Sequence, residues 1–443
     1  MSQNFSECAT NHIRSQKLRF DVGRVEKVAN NMIVVGGLDM EICLGDRAEV
    51  ISRDCRRAGE VVRLDKDGAV VLLEQGGAGV GIGDRVRVVC APGFSPDASW
   101  LGRVIDPDGT PLDGRALIPG VVAMPVDAAA PSAHGRRSFG VRLETGLAVF
   151  NTLLPIVRGQ RLGLFAGSGV GKSTLMGNLA NGIDVDVIIV ALVGERGREV
   201  QQFVRDTIGE VGMKRTVVIA ATSDQSPQTR RRCAPSAMSV AEYFRNQGLQ
   251  VLLLVDSITR FCEAHRELVV AGGEPANLRG YPASTGPAIA RLCERAGPGG
   301  DGQGDITAVF SVLVAGSDMD EPVADMLRGV LDGHVVLDRQ IAEQGRFPAV
   351  DILRSVSRSL PAAASQVEND LIHHARAALS EYDRSKLMIQ SGLYVAGSDP
   401  NTDKAIACFS ALNDFLGIID SRGALAHFAK LRQSLAGVSR IDR

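Results

Sequence analysis

The sequence predicts an α/β fold in three parts: an N-terminal β-barrel, a central parallel sheet carrying a phosphate-binding loop, and a C-terminal helical domain. Between about residues 20 and 90, short alternating runs ("LRFDVGRVEKV", "DRAEVIS", "GEVVRL", "GAVVLLE", "DRVRVV") are broken by Gly, Asp and Asn. Closely spaced short strands of this kind close into a small barrel. From 91 to 360 the runs turn continuously apolar: "RLGLFAG", "DVIIVALVG", "TVVIAATS", "VLLLVDS", "ITAVFSVLV" and "HVVLD". Strands buried on both faces of a parallel sheet read this way, and helical stretches such as "STLMGNLANGI" and "EVQQFVRDTI" alternate with them. From 361 to 443 the strands give way to helical patterns, "QVENDLIHHARAALSEYDRSKLMIQSGL" and "TDKAIACFSALNDFLGII". Residues 1–19 are polar and mixed in charge, which predicts a mobile or weakly helical tail.

Composition narrows the function class. The chain has 443 residues, 45% apolar and 23% charged, as an ordinary multidomain globular protein does. Its 49 basic residues meet 51 acidic ones, a balance that disfavours a nucleic-acid partner. The eight cysteines (8, 43, 55, 90, 233, 262, 293, 408) include no Cys-x-x-Cys pair, so neither a zinc site nor a disulfide framework is expected. The first twenty residues lack the apolar core of a secretory signal, and the longest apolar runs fall well short of the ~20 residues of a membrane helix. The expected location is the cytoplasm.

The stretch "LGLFAGSGVGKSTL", residues 162–175, carries the chemistry. Ala166, Gly167, Ser168, Gly169, Val170, Gly171, Lys172, Ser173 and Thr174 lie between a predicted strand and a predicted helix, the setting of a loop that wraps a phosphate chain in backbone N–H groups. Ala166 replaces the first glycine of that motif, at a position that only closes the turn; a methyl is tolerated there if φ stays negative. Lys172 is placed to reach the β- and γ-phosphates of ATP, and Ser173 to offer its hydroxyl to Mg²⁺. Asp256 ends "VLLLVD" at the edge of a core strand, where a metal carboxylate or a helix N-cap belongs. Glu195, in "GERGREV", reads either as a surface cap or as an acid that orients water, with Arg196 and Glu199 beside it. On local grounds Arg358 reads as a surface arginine and Phe347 as a core residue.

Together these motifs resemble one family. "WLGRVIDPDGTPLDG", "GQRLGLFAGSGVGKST", "GERGREV", "LLLVDSITRF", "AGSDMDEPVADMLRGVLDGHVVLDR" and "FPAVDILRSVSR" look like the catalytic subunits of rotary-type ATPases, and most like the export ATPases of flagellar and virulence type III secretion. The resemblance runs from about residue 20 to the end and implies a RecA-like central sheet. It implies Mg²⁺-dependent ATP hydrolysis with Glu195 as the catalytic carboxylate. Arg358 becomes the finger reaching a neighbouring subunit's site, and Phe347 the platform for adenine. A homohexamer is expected, meeting regulator, stator and stalk proteins, export substrates and chaperones, and the inner face of the membrane at the export gate. "SGLYVAGSDPNTDKAI" is similar to the export branch, and no acidic "DELSEE"-like stretch of the synthase type occurs. The absence of a virulence-specific insertion favours the flagellar system. The alternatives are a virulence secretion ATPase, a catalytic subunit of an ATP synthase or ion pump, and a hexameric RNA translocase. The last would need stacking aromatics in the barrel, where residues 20–90 hold only Phe20. One stretch, "GYPASTGPAIARLCERAG", departs from the family's "Ser-Val-Phe-Ala-x-Leu-Pro", so no role is carried over between Tyr281 and Arg291.

Overall fold

The computed structural model describes residues 21–38, 42–89, 95–277, 280–314 and 319–436; the predicted N-terminal tail lies outside them. Six antiparallel strands, β1 (Asp21–Ala29), β2 (Met32–Gly36), β3 (Arg47–Ile51), β4 (Arg56–Asp65), β5 (Gly68–Leu73) and β6 (Arg85–Val89), close in the order β1-β2-β5-β4-β3-β6. Their inward valines and isoleucines, Val25, Ile33, Val35, Val50, Val61, Val71 and Val86 among them, fill the barrel and are almost wholly buried. β2 buries Ile33 and Val35 and leaves Met32 and Val34 partly exposed, but all four are apolar, so its alternation does not show in the sequence. A two-residue turn defines it, with Asn30 at φ 53°, a left-handed conformation that asparagine tolerates.

The central sheet has eight strands: β7 (Val104–Ile105), β8 (Arg161–Ala166), β9 (Val187–Glu195), β10 (Thr216–Thr222), β11 (Val251–Asp256), β14 (Ile306–Leu313), β15 (Gly333–Leu337) and β16 (Val350–Ser357). The intervening β12 (Ala276–Asn277) and β13 (Tyr281–Pro282) form a separate small hairpin. The sheet order is β16-β15-β8-β14-β11-β9-β10-β7, parallel throughout except that β16 runs against β15. β9 shows why the runs are continuously apolar: Ile188, Val190 and Leu192 enter one core, while Val187, Ile189 and Ala191 enter the core on the opposite face. β16 departs from that pattern. It is an edge strand whose residues alternate between buried and partly exposed, so its sequence lacks the signature of the other core strands.

Four helices matter for the site: α1 (Lys172–Gly182), α2 (Pro227–Asn246), α3 (Ile258–Ala271) and α4 (Thr285–Arg295). Pro235 lies inside α2, which hides that helix from a pattern reading. Three more, α5 (Gln366–Gln390), α6 (Pro400–Leu416) and α7 (Gly423–Ala436), form the C-terminal bundle. A capping box of Ser365 and Glu368 starts α5. Ile372, Ala375, Leu412, Phe415 and Leu431 of this bundle share one core with β8 and α1. A polar latch adds to it. Glu144 accepts from the Ala424 N–H at 2.9 Å and from Asn151 Nδ2 at 2.9 Å; the same amide nitrogen meets His427 Nδ1 at 3.1 Å, and His427 Nε2 lies 3.0 Å from Asp420. With Asn151 donating, His427 carries its proton on Nε2 and donates it to Asp420. The C-terminal end of α1 sits against this latch: a Cβ on Gly182 would lie 2.2 Å from the Thr145 carbonyl oxygen. The helix that begins at the phosphate loop therefore ends at the joint of the helical bundle.

Candidate active site

β8 ends in Ala166, which pairs with Leu313 on one side and Leu337 on the other and exposes no surface. The methyl that replaces the first glycine thus packs into the core as a strand side chain, with an ordinary negative φ. Val170 is also buried and pins the loop from below, while Ser168 and Gly169 face solvent. Gly169 at φ 78° and Gly171 at φ 85° supply the left-handed turns that bring the loop round to α1. The loop at Gly171 is tightly walled, because a Cβ there would stand 3.2 Å from the ring of Phe347. That ring, 47% exposed, is held at the loop with part of its surface open. We expect Gly171→Ala to weaken ATP binding at least tenfold, since strain at positive φ costs about 1–3 kcal/mol and the ring must move. A Cβ on Gly167 meets nothing closer than 3.7 Å, so Gly167→Ala should bind within a few-fold of wild type; calorimetric titration of both variants checks the contrast.

Lys172 opens α1 and forms an ion pair with Asp256, the last residue of β11; Asp256 is 3% exposed. Ser311 Oγ of the adjacent β14 donates to the same carboxylate at 2.6 Å. The N-cap of α3 is Ser257, not Asp256: the Ser257 hydroxyl accepts from the Arg260 N–H. Asp256 is thereby left to the phosphate loop.

Glu195 ends β9, next in the sheet to β11, so its carboxyl comes to the same edge. Burial pushes it up to about 7, and the Asp256 charge and a hydrogen bond with Glu199 push the same way, against the pull of Lys172. Glu199 is held below the usual carboxylate range by that hydrogen bond, so the two carboxyls share a proton. Arg196 is exposed and only approaches Glu199, at 3.5 Å. Arg260 is the residue that sequence reading missed. A Cβ on Gly194 would lie 3.3 Å from Arg260 Cβ, and the Arg260 charge is felt by both Glu195 and Glu199. Only the glycine before Glu195 hinted at so close a neighbour.

Arg358 is not brought to this edge. In β15, Leu337 pairs with Ala166 at the loop end of the sheet, whereas Gly333 pairs with Ser357, the residue before Arg358. Four residues of strand, about 13 Å at 3.3 Å per residue, separate the two levels, and the Arg358 guanidinium donates instead to the Arg328 carbonyl at 3.2 Å.

The edge of the sheet therefore gathers a phosphate-shaped loop, a lysine and oxygen donors only: the exposed Ser173 hydroxyl, the Asp256 carboxylate and the Glu195 carboxyl. Oxygen-only donors suit a hard divalent cation, so the residues present fit Mg²⁺.

Comparison with known proteins shows the family. Residues 146–357 match the nucleotide-binding domain of the ATP synthase alpha/beta family, and residues 364–435 match the C-terminal domain of the type III secretion ATPase EscN. The flagellum-specific ATP synthase of Caulobacter vibrioides is 42% identical over 89% of this chain and 90% of its own. The type 3 secretion system ATPase of Xanthomonas euvesicatoria is 39% identical over 89% of each chain. Among solved structures, the assembled ATPase EscN of the enteropathogenic E. coli type III secretion system superposes with a TM-score of 0.85 at 31% identity, covering 93% of this chain and 100% of that one. The chain belongs to the ATP synthase alpha/beta family, in its branch of flagellum-specific ATP synthases and type III secretion ATPases.

Proposed function

We propose that this chain hydrolyses ATP in an Mg²⁺-dependent reaction, as one subunit of a homomeric ring, and that turnover drives protein export through the flagellar type III apparatus. The observation that carries the reading is the separation of roles along the sheet. Lys172, Asp256 and Glu195 converge at one edge, while Arg358 stands at the far end of the sheet, which supports a role at a neighbour's site rather than its own. In this reading the loop N–H groups and Lys172 hold the β- and γ-phosphates. Phe347 carries the adenine. Glu195 takes a proton from the attacking water as its oxygen bonds to the γ-phosphorus and the bond to ADP breaks. Ser173 and Asp256 are the residues that would hold Mg²⁺, whose charge offsets that of the phosphates. The functional units in this reading are a barrel over 20–90, a nucleotide domain over 91–360 and a helical domain over 361–443. The neighbour EscN has been solved assembled and with its central stalk EscO, which supports a ring and a stalk partner for this chain. Among the described residues no helix is long and apolar enough to cross a membrane, so contact with the export gate would be peripheral.

Two tests follow. Because Glu195 must be unprotonated to accept a proton and burial raises it to about 7, kcat/KM for ATP should fall tenfold per pH unit below about 7. The sign for folding is opposite: a carboxyl raised in the folded state binds more protons than in the unfolded one, so this group's contribution to stability falls as pH rises from about 4.5 through 7. A flat kcat/KM between pH 5.5 and 8 removes Glu195 as the base. In the native host, Glu195→Gln in place of the normal copy should abolish flagellin in the culture supernatant and swimming. Intact flagella with loss of other secreted proteins would favour the virulence reading, to which the 39% identical Xanthomonas relative points.

A further inference from the structure

A cavity of about 390 Å³, lined by no residue of the phosphate loop, lies where β4 of the barrel meets α2, α3 and α4. Its walls are apolar, with Val126, Phe261, Leu268 and Leu292, and its charges are unequal: five arginines against three carboxylates line it. Three of the arginines are committed. Arg47 pairs with Asp108; Arg232 pairs with Glu60 at 3.0 Å and Glu74 at 3.2 Å; and Arg295 pairs with Glu242 at 2.7 Å. The surplus rests on two. Arg231 reaches Glu60 only at 3.6 Å, and Arg291, which is exposed, makes no ion pair among the described residues. Asp127, the remaining carboxylate of the lining, offsets one of these charges. Arg231 from α2 and Arg291 from α4 both line the cavity, and burial together with these two charges pushes the buried His265 ring below the usual histidine range. That ring stacks on Phe261 with centroids 6.3 Å apart, and its Nδ1 is buried with no hydrogen-bond partner.

We infer that this cavity is a binding site for a phosphomonoester with an apolar body, its phosphate held between Arg231 and Arg291 and its body lodged on Phe261, Leu268 and Leu292. Arginine is suited to this task because its planar fork offers paired donors to phosphate oxygens. A cleft of a few hundred Å³ with apolar walls and a few convergent polar groups is the usual form of a small-molecule site. The ligand bridges barrel and sheet, because β4 lines one side and three helices of the nucleotide domain line the other.

The test uses the full-length chain and 1-naphthyl phosphate as probe, with 1-naphthol and inorganic phosphate as partial probes, read by isothermal titration and thermal melting. The complete probe should bind with micromolar Kd and raise the melting temperature, and each partial probe should bind at least tenfold more weakly. Arg291→Glu should weaken binding at least tenfold; Arg291→Gln, which keeps the side chain's bulk, does the same if the charge reversal fails to fold. Saturating ATP should leave the Kd unchanged. Displacement by ATP would place the probe in the nucleotide site and overturn the inference. Equal affinity for wild type and both Arg291 variants, or no binding up to millimolar probe, would overturn it as well.

Discussion

Replacing Lys172 by alanine should remove tight ATP binding, weakening it by a hundredfold or more, and should lower the stability of the empty protein as well. The binding loss follows from chemistry at the loop. Backbone N–H groups at Gly169–Gly171 supply only partial charges, whereas the lysine brings a full positive charge to the β- and γ-phosphates. The stability loss follows from the ion pair with Asp256, which is 3% exposed. Removing one member of a buried pair leaves the other charge in a poor solvent, at a cost of about 3–5 kcal/mol. Ser311 still donates to the carboxylate at 2.6 Å, so the lower end of that range is expected. The two losses separate in a double variant. Lys172→Ala with Asp256→Asn should recover most of the melting temperature, because no charge is left unpaired, and none of the ATP affinity. A double variant that melts as low as the single one would show that the ion pair does not stabilise the empty site.

The same pair shows what the sequence could and could not convey. A glycine-rich loop between strand and helix is legible because its chemistry is local: Gly169 and Gly171 must adopt positive φ, Lys172 must follow them, and a buried strand must lead in. The six continuous apolar runs are legible because both faces of each strand are buried, as Ile188 and Ile189 show by entering different cores. Proximity between distant segments leaves no such mark. That Lys172 faces Asp256, 84 residues on, depends on β8 and β11 flanking β14. Arg260 beside Glu195 depends on how α3 leaves β11, and a single glycine is its only trace. β16 escaped for another reason: an edge strand half open to solvent has no buried run to read, so "DILRSVS" carries meaning only through its motif.

Arg358→Ala should leave ATP affinity within a few-fold of wild type and reduce turnover by about 10³-fold or more, the range for an arginine that offsets transition-state charge. The topology separates these effects. Arg358 follows Ser357, which pairs with Gly333, whereas the phosphate loop follows Ala166, which pairs with Leu337 at the other end of the same strand. An arginine so placed cannot touch the nucleotide its own chain binds, and its carbonyl partner on Arg328 shows it turned elsewhere. It can act only where a second subunit brings its loop edge against this far edge. Each interface in a ring would then unite Lys172 and Glu195 of one chain with Arg358 of the next. That arrangement makes a sharp demand on mixtures. Arg358→Ala and Glu195→Gln proteins, each inactive alone, should regain activity when mixed, because some interfaces then join an intact Glu195 to an intact Arg358. Assembled at random in equal amounts, a quarter of the interfaces would be of that kind, so recovered activity should peak near equal mixing and vanish at either extreme. If Arg358 served its own chain's site, no ratio could restore activity, since every chain would carry one lesion. With subunit exchange demonstrated by fluorescence transfer between labelled chains, a flat line across mixing ratios would rule out the shared site.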